Sequence, residues 1–385
     1  MRYFAAAALA VLATADPCTP PPPPEVPETF FVSPSGSDQS PGSESAPFAT
    51  LKYALTRLGP GDVLNVRDGT YYEQVRQVAV RDGTAAARIV VRAHPGEHPV
   101  LYGLFWLTAA NYWTVQGLDI RWDTDEVSGP LDQSYELLKM VNGIGWEVLD
   151  NEISGALSFG GLSVAGTSDA PGEPSDWRVA GNCIHDIFQG PDPQYQAHGA
   201  YLNTGLYAGS GVFEDNLVYD TPAGSSVKIG WKDWEISGTV NVTLRHNTLV
   251  DGRNVVMIVG NTFPGAGSSN IQVESNVLVE ALGDNYGVVR GVNVNNSTNV
   301  ASDNAWHDAQ ETEMIIDYPD SILGGVVDGG GNTRIERGFD AEGVCSGYHP
   351  TDPRAAGLGA ALVRTTADFG AERTPPLPSA TSAEP

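Results

Sequence analysis

The sequence predicts an all-β solenoid, and three observations carry that prediction. First, one short pattern recurs in WTVQGLDI (113–120), WEVLDNEI (146–153), WRVAGNCI (177–184), VFEDNLV (212–218), TLRHNTL (243–249), QVESNVL (272–278) and VASDNAW (300–306). In each copy an apolar residue stands three before a fixed position and another stands two after it. That position is Leu118 in the first copy, then Asn151, Asn182, Asn216, Asn247, Asn276 and Asn304, spaced by 33, 31, 34, 31, 29 and 28 residues. Second, these windows alternate like strands and lack helical periodicity. Third, 44 Gly and 27 Pro among 385 residues make a turn-rich chain, while 41% hydrophobic residues suffice for a large core.

The elements follow in order from the N-terminus. Arg2, the apolar run Phe4 to Leu12 and the small residues Ala13-Thr14-Ala15 read as an export leader over 1–15. Residues 16–28, DPCTPPPPPEVPE, read as a stiff polyproline spacer, and 374–385 as a disordered tail of similar composition. Between them, 29–373 reads as a single elongated domain. No apolar run is long enough to cross a bilayer. With 21 Lys+Arg against 47 Asp+Glu the formal charge is −26, which disfavours nucleic acid and anionic membrane surfaces as partners. A secreted monomer is the expectation. Cys18, Cys183 and Cys345 are too few for a disulfide framework, and a Cys183–Cys345 bridge stays open.

The recurrent Asn has a physical reason. In stacked coils about 4.8 Å apart, a side-chain amide reaches the equivalent amide of the next coil, and Asn also tolerates left-handed corner geometry.

The entry segment FFVSPSGSDQSPGSESAPFATLKYALTRLGPGDVLNVRDGTYYE (30–73) holds a strand, a Gly/Ser/Pro loop, a short amphipathic helix around Thr50 to Leu58, then Pro60-Gly61-Asp62 and Gly69-Thr70-Tyr71. On these residues the chain resembles the right-handed parallel β-helix superfamily of pectate-lyase-like secreted proteins. The resemblance implies a single-stranded right-handed parallel β-helix with an N-terminal capping helix, which would cover strand edges and apolar core at the open end. It implies carbohydrate activity without fixing which, since lyases, hydrolases, epimerases and non-enzymes share the fold.

Between the Asn turns lie LLKMV (137–141), GLSVAG (161–166), GAYLNTG (199–205), SVKIGW (226–231) and NVVMIVG (254–260). Placing Met140, Val164, Leu202, Ile229 and Ile258 inward puts Lys139, Ser163, Tyr201, Lys228 and Met257 in an outward row. The superfamily uses such a face as its substrate groove. Only four lysines exist (Lys52, Lys139, Lys228 and Lys232), and their clustering gives a locally positive strip suited to a polyuronate, or else guards an exposed sheet.

Elimination across a uronate needs a base at the α proton and neutralisation of the carboxylate. Lys228 is the expected base, helped by Lys232; Tyr201 the expected proton donor, with His198 beside it; Arg253 a neutraliser. Asn203 and Lys139 are expected to bind substrate, and Trp231 to stack on a sugar. A polysaccharide lyase is therefore the leading activity. Glycoside hydrolysis, which needs two carboxylates, is the rival: the row has none, though Asp192, Asp233 and Glu235 could intrude from loops. Epimerases of similar fold carry Asp-Pro-His-Glu, whereas Asp192-Pro193 here is followed by Gln194-Tyr195. A non-catalytic glycan-binding protein remains the third possibility.

Four residues after each Asn stand Asp186, Asp220, Asp251, Glu280 and Asp308. Turn capping explains such a column; Ca²⁺ bridging, with Asp186, Asp220 and Asp251 as ligands, is the sharper alternative. The stretch 310–373 breaks the repeat, and its glycines suggest a cap over the last coil.

Overall fold

The computed structural model describes residues 26–122, 136–156, 159–166, 174–188, 197–204, 209–230, 239–259, 268–283, 287–292, 294, 298–317 and 325–360. The leader, most of the spacer, the tail, Trp231, Lys232, Asp192, Asp233 and Glu235 lie outside them.

The chain winds as a parallel β-solenoid with three faces. The strands that precede each Asn form one eleven-stranded parallel sheet, the first face. Those after each Asn form the second, and the strands between turns the third. Pro99–Thr108 and Thr248–Val259 are long enough to run from the second face into the third, so hydrogen bonding joins these two faces into one sixteen-stranded sheet. Alternation aims Val115, Val148, Val179, Phe213, Leu244 and Val273 inward from the first face, all fully buried. Each such side chain contributes about 1.5–3 kcal/mol by leaving water. Trp146 and Trp177 stack with centroids 5.7 Å apart. Gly211 pairs with Trp177, and a Cβ there would lie 2.0 Å from the indole.

The Asn positions form a buried ladder. Asn182 Nδ2 and N donate to Asn216 Oδ1 at 2.9 and 3.0 Å, and Asn216 repeats this to Asn247 at 3.1 and 3.0 Å. Each amide therefore satisfies its neighbour's donors inside the core, where an unpaired group would cost about 1–3 kcal/mol. The ladder begins at the Leu118 N–H, which donates to Asn151, and runs one step past Asn304 to Asn332. Left-handed backbone falls on the residue before the Asn, such as Asp150 (φ 54°), Asp215 (φ 55°) and Ser275 (φ 57°), and leaves the amide to the ladder.

The expected helix is present as Leu51–Leu55. Its N-cap Thr50 accepts from Tyr53 N, and Leu51, Ala54 and Leu55 are buried against the first coil.

The C-terminal region departs from expectation. Ile315–Asp317, Val327–Gly330 and Thr333–Arg334 continue all three faces instead of breaking the repeat. Residues 335–360 then lie along the second face as a strap, not over the end as a cap. Ile335, Phe339, Tyr348 and Leu358 pack with Leu217, Tyr219, Val250 and Val277, side chains from successive coils. A Cys183–Cys345 disulfide fastens the strap. Glycine richness reads equally well as a cap or a strap; the apolar outward residues of the second face are what select the strap.

Candidate functional site

The third face carries the candidate site. Strands Glu136–Val141, Gly160–Ala165, His198–Asn203, Thr221–Ile229 and Thr248–Val259 pair in the order Lys139, Ser163, Tyr201, Lys228, Met257. Their inward partners Met140, Val164, Leu202, Ile229 and Ile258 are at most 1% exposed. The row continues at both ends: Trp106 pairs with Lys139, Met257 with Arg290, and Arg290 with Ile316. Trp106 and Arg290 each lie 33 residues from their neighbour in the row (139 − 106 and 290 − 257). One more repeat length in each direction would have found them, although the coil of Trp106 carries no Asn at its turn, whereas that of Arg290 carries Asn276.

Lys228 and Tyr201 meet. The ammonium nitrogen sits 4.7 Å from the Tyr201 ring centroid, and among the described residues no carboxylate is within ion-pair distance of it. Burial without a counter-charge pulls the amine down to about 8 from its ordinary 10.5. The Tyr201 hydroxyl is buried without a hydrogen-bond partner among the described residues. Burial first, and the Glu136 charge second, push the phenol far above its ordinary range, so it stays protonated. The rings of Phe159 and His198 lie 6.0 and 5.9 Å from that of Tyr201.

His198 is 2% exposed, and its Nδ1 accepts from Ser225 N at 2.9 Å. Burial, aided by the Lys228 charge, holds it well below its ordinary range. It is a neutral imidazole with its proton on Nε2. Two residues after Tyr201, Asn203 accepts from the Thr239 hydroxyl at 3.5 Å.

Two of the expected residues lie apart from this centre. Lys139 is three strands from Lys228; its ammonium binds Glu136 at 3.0 Å and covers Trp106 at 5.1 Å from the ring centroid. Arg253 falls opposite a bulge, since Gly252 pairs with Thr221 and Asn254 with Ser225. It therefore lies four residues before Met257, about 13 Å along the strand. Glu136 was not foreseen: three residues before Lys139, strict alternation assigns it to the other face.

The acidic column occupies a corner between the second and third faces. Asp186, Asp220, Asp251 and Glu280 have φ of 54°, 52°, 53° and 56°, the left-handed geometry that Asp adopts readily. Asp308 instead accepts from Gln310 and Glu311 N–H groups. Arg337 takes both oxygens of Asp251 at 2.7 and 3.1 Å, His185 binds Asp186 at 2.8 Å, and His307 binds Glu280 at 3.2 Å. Among the described residues neither Asp220 nor Asp308 pairs with a basic side chain; burial and then Asp186 raise the Asp220 carboxyl. A divalent cation would fit Asp186 with Asp220 better than Asp251, whose oxygens are committed to the strap.

Comparisons with known proteins agree on the fold. Residues 30–143 match the family model described as "Pel9A-like, right handed beta helix region". Over 73 residues the chain is 34% identical to "Pectate lyase PEL9" of Emericella nidulans (strain FGSC A4), covering 19% of this chain and 18% of that protein. It is 36% identical over 73 residues to "Uncharacterized protein YwoF" of Bacillus subtilis (strain 168), covering 19% and 15%. The aligned stretch thus spans less than a fifth of either relative. Among solved structures, pectate lyase Pel9A superposes with TM-score 0.45 and 16% identity over 73% of this chain and 70% of its own. A rhamnogalacturonan lyase gives 0.46 and 14% over 75% and 84%. The described residues form an all-β parallel β-solenoid whose residues 30–143 match the Pel9A-like right-handed β-helix model, and no helix among the described residues is long and apolar enough to cross a membrane. The family match ends before His198, Tyr201 and Lys228.

Proposed function

We propose that this protein is a secreted polysaccharide lyase that cleaves a uronate-containing polysaccharide by β-elimination, with Lys228 as the base. The observation that carries this reading is the partly buried amine of Lys228, over the Tyr201 ring at 4.7 Å from its centroid and without a carboxylate partner among the described residues; burial pulls it down to about 8. A general base works best with a pKa near the operating pH. The neutral amine takes the proton α to the uronate carboxylate. The electron pair released forms the carbon–carbon double bond, and the bond from the β carbon to the glycosidic oxygen breaks. That oxygen receives a proton from the Tyr201 hydroxyl, which burial keeps protonated and which makes no hydrogen bond among the described residues. Asn203, on the Tyr201 strand, supplies amide chemistry for the carboxylate, and neutral His198 packs beside the Tyr201 ring without adding charge.

Charge supports the substrate class. The row from Trp106 to Ile316 holds Lys139, Lys228 and Arg290 and no Asp or Glu, in a chain of formal charge −26. The disulfide suits an oxidising compartment, in keeping with export. Calcium, if it takes part, would reach this face with the substrate, because Asp186 and Asp220 stand at a corner off the row. Hydrolysis finds less support, since Glu136 is already paired with Lys139.

The test is a screen of pectate, alginate and glycosaminoglycans, with and without Ca²⁺, for the ultraviolet absorbance of an unsaturated product. Elimination by the parent and its loss in a folded Lys228→Ala variant are expected. Reducing ends without absorbance would replace the reading with hydrolysis, and binding with neither product would leave a glycan-binding protein.

A further inference from the structure

The disulfide that fastens the strap has a third donor beside it. Among the described residues, Cys183, His185 and Cys345 are the one group of three metal-binding side chains whose donor atoms all lie within 4.8 Å of one another. Cys183 and His185 stand two apart on strand Cys183–His185, so alternation turns both toward the strap. Cys183 is buried, while His185 and Cys345 are partly exposed, which leaves an ion a way in.

His185 is held in place from three sides. Its ring lies parallel to that of Tyr219, with centroids 4.9 Å apart, and its nitrogens meet Asp186 at 2.8 Å and Glu152 at 3.3 Å. A carboxylate on one imidazole nitrogen fixes the tautomer and makes the other a better metal ligand. Cys345 is positioned independently of its sulfur. It sits in a turn closed by Gly347 N donating to Val344 O at 3.0 Å and Ala341 N donating to Gly347 O at 2.8 Å. Three residues on, Tyr348 stacks on Tyr219 at 4.6 Å between centroids, and Arg337 grips Asp251 at 2.7 Å. Tyr219 therefore touches both His185 and the strap, and opening the sulfur–sulfur bond would leave the three donors gathered.

Two thiolates and an imidazole are the donors of zinc, not of calcium. A tetrahedral zinc spaces such donors about 3.5–3.8 Å apart, so a shift of about 1 Å closes the shell. The carboxylates of Glu152 and Asp186 add negative charge that favours a dication.

We propose that reduction turns this fastening into a zinc site, in which Cys183, Cys345 and His185 hold one Zn²⁺ and the ion ties the strap where the disulfide did. An external dithiol supplies two electrons and two protons; the sulfur–sulfur bond breaks to give two thiols, and the dithiol closes to its own disulfide. Zinc then displaces both thiol protons to water, and a water molecule completes the shell. The inference does not depend on the lyase reading.

The experiment uses the whole chain carrying Cys18→Ser, so that Cys183 and Cys345 are its only cysteines. The protein is taken oxidised, or reduced with a dithiol that is then removed under nitrogen. Zn²⁺ is added, the metal retained after desalting is counted, and Co²⁺ in its place reports thiolate ligation by its near-ultraviolet band. Reduced protein should keep one zinc per chain and melt higher with it than without; oxidised protein should keep none. His185→Gln, which preserves a polar side chain beside Asp186, should weaken zinc by about tenfold or more, with melting curves to verify folding. Hydrogen exchange over 335–360 in reduced protein should slow when zinc binds. Equal zinc on reduced and oxidised protein overturns the proposal. So does a His185→Gln variant that binds as tightly as the parent, or zinc binding that leaves exchange over the strap unchanged.

Discussion

The ammonium of Lys228 rests 4.7 Å from the centroid of the Tyr201 ring, one strand away, with no carboxylate of the described residues to balance it. The arrangement costs stability, because a buried charge is attended only by a ring quadrupole, worth about 0.5–2 kcal/mol. Its cost and its chemistry can be separated by substitution.

Lys228→Met should abolish turnover and raise the melting temperature at neutral pH. In the unfolded chain the amine holds its proton to about pH 10.4, whereas in the folded protein it releases it near 8. Between those values the unfolded state binds more protons, so the parent gains stability as pH rises. The advantage of the variant is therefore greatest below pH 8, about 1–3 kcal/mol, and closes toward pH 10.4. Denaturant melts at several pH values measure it. Turnover of the parent should rise about tenfold per pH unit up to 8 and then level; a profile that falls over the same span rejects the free amine as base.

Tyr201→Phe separates structure from chemistry in the same way. The hydroxyl bonds nothing among the described residues, so its removal takes away a desolvated polar group and leaves none behind. Stability should hold or improve by about 1 kcal/mol. The rate of elimination should drop about 10²–10⁴-fold. A fall in melting temperature with rate intact would make the tyrosine a packing residue.

Much of this geometry was legible in the sequence, and the reason is mechanical. A parallel coil converts a repeat period directly into vertical register, so Asn216 above Asn247 and Tyr201 beside Lys228 follow from counting. Counting fails where the period says nothing. Trp106 sits on a coil without the Asn mark, and Arg290, on the coil marked by Asn276, sits on a strand of only four residues, Val289–Val292. Glu136, which alternation puts on the opposite face from Lys139, nevertheless reaches its ammonium at 3.0 Å. Arg253 is displaced because a bulge absorbs Pro222 to Gly224, and alternation cannot foresee a bulge. The strap was illegible for another reason: its partners Tyr219, Val250 and Val279 read as ordinary core when nothing marks the second face as covered outside.

Asp220→Asn tests whether a cation belongs to the acidic corner. Burial and Asp186 raise the Asp220 carboxyl, so the folded state binds a proton more tightly than the unfolded one. The ionised pair then weakens the fold as pH climbs above the ordinary carboxylate range. In chelating buffer at neutral pH the Asn variant should melt higher than the parent, and the difference should vanish in acid. Calcium seated between Asp186 and Asp220 would reverse the order by stabilising the parent alone. Melting curves in chelator and in calcium decide it.

Replacing both Cys183 and Cys345 by Ser should loosen the strap while sparing the chemistry. The bridge spans 162 residues of sequence, and a closure of that length adds about 2–5 kcal/mol by restricting the unfolded chain. Without it the strap keeps the Arg337–Asp251 pair and the stacking of Tyr348 on Tyr219, 4.6 Å between centroids. Local opening becomes easier than global unfolding, so trypsin should cut first at Arg337 and Arg354, and hydrogen exchange should quicken over 335–360. The strap covers the second face and the Tyr201–Lys228 pair lies on the third, so kcat at moderate temperature should stay within twofold of the parent. A collapse of turnover in the folded variant would show that the strap braces the third face as well, and would move the coupling path to the coil that carries both Cys183 and His198.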